Sequence, residues 1–192
     1  MQCKSSKKGQ VDYIKKIKKM KNYLTKNRCY TNAIKIKPKG LMLHSVGCAQ
    51  PKAEVFIKQF NNATISKCVH AFIDANDGVV YRTLPWNYKA WHCGGSGNST
   101  HIGIEMCEPP KNGGKEYVDR VYQSAVVLFA ELCIKYELDP MKDIISHAEG
   151  HKKGIASNHG DPDHLFKKYG YSMNQFRKDV KKAYLLQQTH TQ

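Results

Sequence analysis

The chain has 192 residues, of which 41% are apolar. This is enough for one globular domain with a full core, and it excludes wholesale disorder. The formal net charge of +15 at pH 7 predicts an anionic partner such as a nucleic acid, an anionic membrane or a cell-wall polymer. All but four of the 31 basic residues are lysines. Because bidentate readout of bases prefers arginine, the charge favours non-specific attraction over reading of a nucleotide sequence.

The cysteines and the N-terminus indicate where the protein is made. The seven cysteines show no CxxC pair and no regular spacing, which predicts free thiols in a reducing compartment. The first ten residues are polar and no apolar stretch of a signal peptide follows them. No apolar run approaches the length of a membrane span. We therefore expect synthesis in the cytoplasm, without a signal peptide and without a transmembrane segment.

Residues 1–21 form a lysine-rich lead. Its apolar residues Val11, Ile14, Ile17 and Met20 recur at every third position. This spacing predicts a basic amphipathic helix, which either docks on the domain or extends from it towards an anionic surface. We accordingly divide the chain into a basic N-terminal extension, residues 1–21, and one main domain, residues 22–192.

The remaining pattern alternates between strands and helices. Apolar runs predict strands over 41–47, 68–73, 79–84 and 101–107, and the turn DANDG at 74–78 joins the middle two as a hairpin. Helical spacing of apolar residues predicts helices over 52–61, 117–136 and 172–186, the last with Ser172 as its N-cap. This mixed order predicts an α/β fold in which helices flank a mixed central β-sheet.

A cluster of ionisable residues lies in the segment 146–164, SHAEGHKKGIASNHGDPDH, which its glycines and proline predict to be mostly loop. Imidazoles and carboxylates are ligands that zinc prefers, and a catalytic zinc takes three protein ligands and one open position. His44 closes the apolar part of a predicted strand and His147 follows the apolar pair Ile144-Ile145, so we expect them to be two of these ligands. Asp161, whose backbone is restricted by Pro162, is the favoured third ligand. Three other residues of the segment compete for that role: His151, His159 and Asp163.

Glu105 is a single acid within the otherwise apolar run IGIEM. One interpretation is that it faces solvent from a strand with one exposed side. The other is that it acts as a general base beside a metal site, taking a proton from water and delivering it to a leaving nitrogen.

Six segments resemble, in the same order, the type-2 N-acetylmuramoyl-L-alanine amidases, which are zinc amidases related to bacteriophage lysozyme-amidases and peptidoglycan recognition proteins. The similarity covers roughly residues 22–186, and the histidine-rich segment is similar to those of clostridial autolysins and of the endolysins of their phages. The segments are KGLMLHSVG (39–47), VHAFIDANDGVVYRTLP (69–85), AWHCGG (90–95), NSTHIGIEMCEP (98–109), ISHAEGHKKGIASNHGDPDHLF (145–166) and SMNQFRKDV (172–180).

The resemblance implies roles for individual residues. The family's zinc ligands fall on His44, His147 and Asp161, and its catalytic glutamate falls on Glu105. The other implied roles are substrate contacts at Trp91 and His92 in the AWH motif and at His70, a residue of the second strand facing the zinc, and stabilisation of the oxyanion at His159. Many relatives have a lysine at the position of His159, and several have a shorter spacing between the second and third ligands.

The resemblance also implies an activity, which is zinc-dependent hydrolysis of the amide bond between N-acetylmuramic acid and L-alanine in peptidoglycan. The implied partners are peptidoglycan and anionic wall polymers, not a nucleic acid, and we expect a monomer that acts on the wall after release. One alternative is a catalytically inactive peptidoglycan-binding module of the same fold. A second is a basic metal nuclease, which would leave the segments AWHCGG and IGIEM without a role.

Overall fold

A computed structural model describes residues 11–13 and 15–189 of the chain. A six-stranded sheet runs through this part of the molecule in the order β1-β4-β3-β5-β2-β6. The β3–β4 hairpin is antiparallel and the other pairs are parallel, so the predicted mixed sheet is confirmed. The strands are β1 (Lys19–Lys21), β2 (Gly40–Ser45), β3 (Ala71–Ile73), β4 (Val80–Arg82), β5 (His101–Met106) and β6 (Ile144–Ser146).

Helices flank this sheet, as the sequence predicts. The two longest, α3 and α6, pack against each other and over the sheet. A 3-10 turn at Ser96–Ser99 precedes β5. The helices are α1 (Arg28–Thr31), α2 (Ala53–Phe60), α3 (Lys115–Tyr136), α4 (His147–Lys152), α5 (Asp163–Tyr169) and α6 (Met173–Thr189). None of the described helices combines the length and apolar character needed to cross a bilayer.

Strand β2 lies between β5 and β6, and every one of its residues is buried. Because successive side chains of a strand point to opposite faces, Leu41 and Leu43 join the main core while Met42 packs in a smaller cluster with Cys93 and Ile145. His44 follows Met42 by two positions and therefore lies on the same face. The alternation thus carries a histidine to the carboxyl end of a central strand.

The predicted N-terminal helix is wrong over the described residues. Lys19–Lys21 form a strand parallel to β4, and residues 15–18 have no helical structure. Backbone bonds from Val80 N to Lys18 O (2.9 Å) and from Asn22 N to Arg82 O (2.8 Å) extend this pairing. Residues 18–22 therefore occupy the free edge of β4, where main-chain pairing outweighs the helical spacing. Ile14 lies outside the described residues, and the division of the chain at residue 21 stays a prediction.

The segment 146–164 is more ordered than a loop. Ser146 ends β6 and caps α4, with its hydroxyl accepting from Glu149 N (3.0 Å) and the Glu149 carboxylate accepting from Ser146 N (2.9 Å). This reciprocal capping box begins a helix at His147. A second helix, α5, begins at Asp163. The prediction of a loop is therefore correct only for the stretch between these two helices.

Candidate metal centre

His44, at the end of β2, is 1% exposed and both of its ring nitrogens have close partners. Its Nδ1 lies 3.1 Å from Asp161 Oδ2, and its Nε2 lies 2.9 Å from His92 Nδ1. Burial lowers the pKa of His44, although contact with the Asp161 carboxylate opposes this effect. The ring is therefore held in one orientation at the carboxyl end of the central strand.

His147 reaches the same point from the neighbouring strand. It is the first residue of α4, and the capping box at Ser146 fixes where this helix begins. Its Nδ1 lies 3.1 Å from His44 Nδ1 and 3.3 Å from Asp161 Oδ1. Asp161 precedes Pro162 across a cis peptide bond. The structure thus brings together the three residues that the sequence analysis favours as metal ligands.

These three groups could hold a metal ion, since their ligand atoms lie within 4.8 Å of one another. Two ring nitrogens 3.1 Å apart beside a carboxylate place lone pairs against each other unless a proton or a metal ion is shared between them. Two imidazoles and a carboxylate are a donor set that zinc prefers. Burial raises the pKa of Asp161, but the adjacent His147 and His44 rings outweigh burial and hold it below its usual range. The site therefore fits a cation with an anionic ligand.

The cluster opens into a cavity of about 460 Å³. Glu105 lines this cavity from β5, in register with His44 on β2, so it does not face open solvent. Its Oε2 is buried and has no hydrogen-bond partner among the described residues. Burial raises the pKa of Glu105 well above its usual range, and the nearby carboxylates of Asp161 and Glu108 add to the shift. An unpartnered buried carboxyl oxygen beside the cluster is available to a substrate or a water molecule.

Two more of the predicted site residues line the cavity. Trp91 is 51% exposed at its edge. His159 is also exposed, and its Nδ1 lies 3.0 Å from the Ser157 hydroxyl. The centroids of the His159 and His147 rings are 4.8 Å apart. Both residues can therefore meet a molecule that reaches the cluster.

His92 lies behind His44. Its Nε2 donates to the backbone carbonyl of His101 at 3.2 Å, and its ring rests on Gly103, where a Cβ would come within 2.4 Å of His92 Cγ. Burial and the neighbouring histidines hold the pKa of His92 well below its usual range, so the ring is neutral at pH 7. His92 lines part of the cavity, and its ring nitrogens bond to the protein itself.

His70 does not reach the cavity, contrary to the expectation of a substrate contact. Its side chain is fully buried, its Nε2 donates to Tyr88 O (2.8 Å), and its Nδ1 accepts from Gly103 N (3.0 Å). Both ring nitrogens are therefore used to hold backbone segments together. The sequence predicts a strand over 68–73 that contains His70 but does not show which strand lies beside it, and the pairing of β3 with β5 encloses the ring.

The residues that compete with Asp161 for the role of third ligand are not part of the cluster. His151 is exposed and faces the Ala156 carbonyl at 3.3 Å. Asp163 begins α5 and His159 bonds to Ser157. Among the described residues, Asp161 is the one that joins His44 and His147 in a cluster suited to a metal ion.

Two polar residues near the cluster were missed by the sequence analysis. Ser157 Oγ lies 3.3 Å from His147 Nε2 and donates to the Cys93 carbonyl at 3.1 Å. Asn98 is 2% exposed, and its Oδ1 accepts from the backbone N–H groups of His92 (2.8 Å) and Cys93 (2.9 Å). Ser157 lies in a loop and Asn98 in the 3-10 turn, and neither residue belongs to a motif that would reveal these contacts.

One family model and two relatives from Bacillus subtilis match the chain, and all three are described as N-acetylmuramoyl-L-alanine amidases. The family model described as N-acetylmuramoyl-L-alanine amidase matches residues 35–164. The amidase BlyA of Bacillus subtilis (strain 168) is 26% identical over 146 residues, which are 66% of this chain and 38% of BlyA. The amidase CwlH of the same organism is 38% identical over 60 residues, which are 29% of this chain and 23% of CwlH. The chain therefore spans well under half the length of these relatives.

Solved structures share the fold. The Staphylococcus aureus hydrolase AmiA, in complex with its ligand, superposes with a TM-score of 0.73 at 21% identity, covering 91% of this chain and 86% of AmiA. The catalytic domain of XlyA gives a TM-score of 0.66 at 20% identity over 85% of this chain and 99% of that domain. A mutant endolysin from Bacillus subtilis gives 0.66 at 21% identity, covering 86% of this chain and 99% of the endolysin.

Proposed function

Because the chain belongs to the N-acetylmuramoyl-L-alanine amidase family, we propose that it cleaves the amide bond between N-acetylmuramic acid and L-alanine in peptidoglycan, with zinc as its cofactor. One observation carries this proposal. His44, His147 and Asp161 converge on a cavity that Glu105 also lines. Three ligands, an acid–base group and room for a substrate are the parts that such a hydrolysis needs.

The zinc ion and the residues of the chain would have separate roles in the reaction. A zinc ion held by His44, His147 and Asp161 would supply Lewis acidity towards the lactyl carbonyl of the scissile bond. The Glu105 carboxylate takes a proton from the attacking water, whose oxygen bonds to the carbonyl carbon. Glu105 then gives a proton to the nitrogen of L-alanine as the C–N bond breaks. Burial suits Glu105 to this work because the raised pKa makes it a stronger base than an exposed glutamate.

The oxyanion that develops on the carbonyl needs a donor on the open side of the cavity. We assign this role to His159, which lines the cavity beside His147 and is anchored to Ser157. We assign a substrate contact to Trp91, since its exposed indole offers an apolar surface at the edge of the cavity.

We also propose how the enzyme meets its substrate. The net charge of +15 attracts anionic polymers of a cell wall and raises the local concentration of enzyme there. Lys67, at the cavity itself, adds positive charge where the wall would approach. In this proposal the protein is made in the cytoplasm and acts on the wall as a monomer after release.

Digestion of purified peptidoglycan tests the activity. We expect new L-alanine amino termini without new reducing sugars when the fragments are analysed by mass spectrometry. We expect a chelator to abolish their release and added zinc to restore it. New reducing sugars, full activity after complete zinc removal, or binding of peptidoglycan without cleavage would each contradict the proposal.

A further inference from the structure

The two candidate histidine ligands meet the cluster through the same atom, Nδ1, and each is bonded through Nε2 on its other side. For His44 the partner is His92 Nδ1 at 2.9 Å, and His92 Nε2 in turn lies 3.2 Å from the His101 carbonyl. A carbonyl oxygen only accepts, so His92 donates through Nε2, and in that tautomer its Nδ1 carries the lone pair that faces His44 Nε2. His44 must then donate through Nε2, which leaves the lone pair of its Nδ1 facing the cluster.

A second, shorter chain of hydrogen bonds acts on His147. The Ser157 hydroxyl donates its proton to the Cys93 carbonyl at 3.1 Å. Its oxygen is then an acceptor for His147 Nε2, which lies 3.3 Å away. His147 is therefore also a donor through Nε2, and the lone pair of its Nδ1 faces the same point as that of His44.

Both series of hydrogen bonds depend on two consecutive residues, His92 and Cys93. His92 supplies the ring that meets His44, and the next residue, Cys93, supplies the carbonyl that orders Ser157. Asn98 Oδ1 holds the backbone N–H groups of both residues. Gly103 leaves the space that the His92 ring fills.

We propose that His92 and Ser157 are positioning residues that fix both histidine ligands in the tautomer able to bind a metal ion through Nδ1. This inference rests on the metal site of the proposed function, and it assigns to His92 a contact with a ligand in place of a contact with substrate. Partners of this kind hold the ring orientation and tautomer of a metal-binding imidazole, and their loss weakens metal affinity about 10- to 100-fold. The chain therefore prepares its metal site before a metal arrives.

Zinc affinity of the metal-free protein tests this proposal without any assay of activity. A chromophoric chelator competes for zinc with the wild type and with four variants, His92→Leu, His92→Asn, Ser157→Ala and His151→Gln. Asparagine places an oxygen near the position of Nδ1 and can still accept from His44, whereas leucine cannot. We expect His92→Leu to weaken zinc binding at least about 10-fold and Ser157→Ala about 10-fold. We expect His92→Asn and the control His151→Gln to stay within about threefold of the wild type.

Absorption spectra of the cobalt-substituted proteins give a second readout. We expect His92→Asn to keep the wild-type spectrum and His92→Leu to alter it, because only leucine frees the His44 ring. Equal losses in His92→Leu and His92→Asn would reduce His92 to a space-filling residue and overturn the proposal. So would wild-type affinity in both His92→Leu and Ser157→Ala. Absence of zinc binding by the wild type would overturn both this proposal and the proposed function. The two results above would overturn only this proposal, so the two failures are distinguishable.

Discussion

The carboxyl end of β2 and β6 differs from the outer edge of the sheet at β1 in how it uses charge. At the first, His44 and His147 are 1% and 4% exposed, and their ring nitrogens lie within 3.3 Å of defined partners. At the second, Lys19 and Glu131 form an ion pair whose side chains are 45% and 35% exposed. The net charge of the chain reflects exposed charged residues such as Lys19. The proposed chemistry depends on a few buried residues such as His44, which composition alone does not identify.

Removal of the anionic ligand is the strongest test of this contrast. We expect Asp161→Ala to lose zinc binding and to lower amidase activity at least about 1,000-fold, because two histidines alone leave the cation with neither its third ligand nor its anionic partner. The measurement is zinc content after dialysis, together with release of L-alanine amino termini. Asp163→Asn, two positions away, is the matched control and should keep zinc. Zinc retention by Asp161→Ala with loss in a His159→Ala variant would assign the third ligand to His159.

Glu105→Gln separates metal binding from proton transfer at the same end of the sheet. We expect kcat to fall about 100- to 10,000-fold, because the amide cannot accept a proton from water. Zinc affinity should stay within a few-fold of the wild type, since Glu105 is not one of the clustered ligands. Turnover numbers and chelator competition measure the two effects, with Glu116→Gln on α3 as a control far from the cavity. Near-normal turnover would remove Glu105 from the mechanism.

The buried His70 ring makes the free energy of unfolding sensitive to acid, whereas the exposed lysines of β1 do not. Burial lowers the pKa of His70 to about 4, so in acid the unfolded chain takes up a proton that the folded chain refuses. Stability is therefore lost as pH falls from about 6.5 towards 4, by up to roughly 3 kcal/mol for a shift of this size. Urea unfolding at pH 7 and pH 4.5 should show the wild type losing its advantage over His70→Gln. An advantage that is the same at both pH values would contradict this reasoning.

Substitutions at the outer edge of the sheet, at β1, should have the smallest effect. We expect Lys19→Ala to change the free energy of unfolding by no more than about 1 kcal/mol, because the pair with Glu131 is exposed to solvent and is screened by salt. Urea unfolding at low and high salt measures this change, and Lys58→Ala, which removes another exposed pair, is the control. A loss of several kcal/mol would show that the edge strand is a main support of the fold.

Apolar patterning predicted the main elements because burial itself imposes it. The strand ending at His44, the hairpin around Asp74–Gly78 and the long helix α3 were all predicted from such patterns, and the structure contains them. The helix α4 was missed, although the capping box formed by Ser146 and Glu149 was readable in the sequence. The glycines and charged residues around it favour a loop, whereas the capping signal consists of only two residues.

Other errors arose because the partner of a segment is not written in its own sequence. The spacing of Ile17 and Met20 is compatible with a helix, but the open edge of β4 makes a strand. His70 lies within a predicted strand, and only the position of β5 beside β3 shows that its ring is enclosed. Ser157 is ten positions from His147, and a folded loop alone brings its hydroxyl to the ring.

Gly103 carries a consequence for any attempt to transplant this site into another scaffold. The space above it holds the His92 ring, and a single methyl group at position 103 would occupy that space. A design that copied only the three ligands and the glutamate would lack this space, and its first imidazole would turn freely. The smallest portable unit of the site therefore includes a residue with no side chain at all.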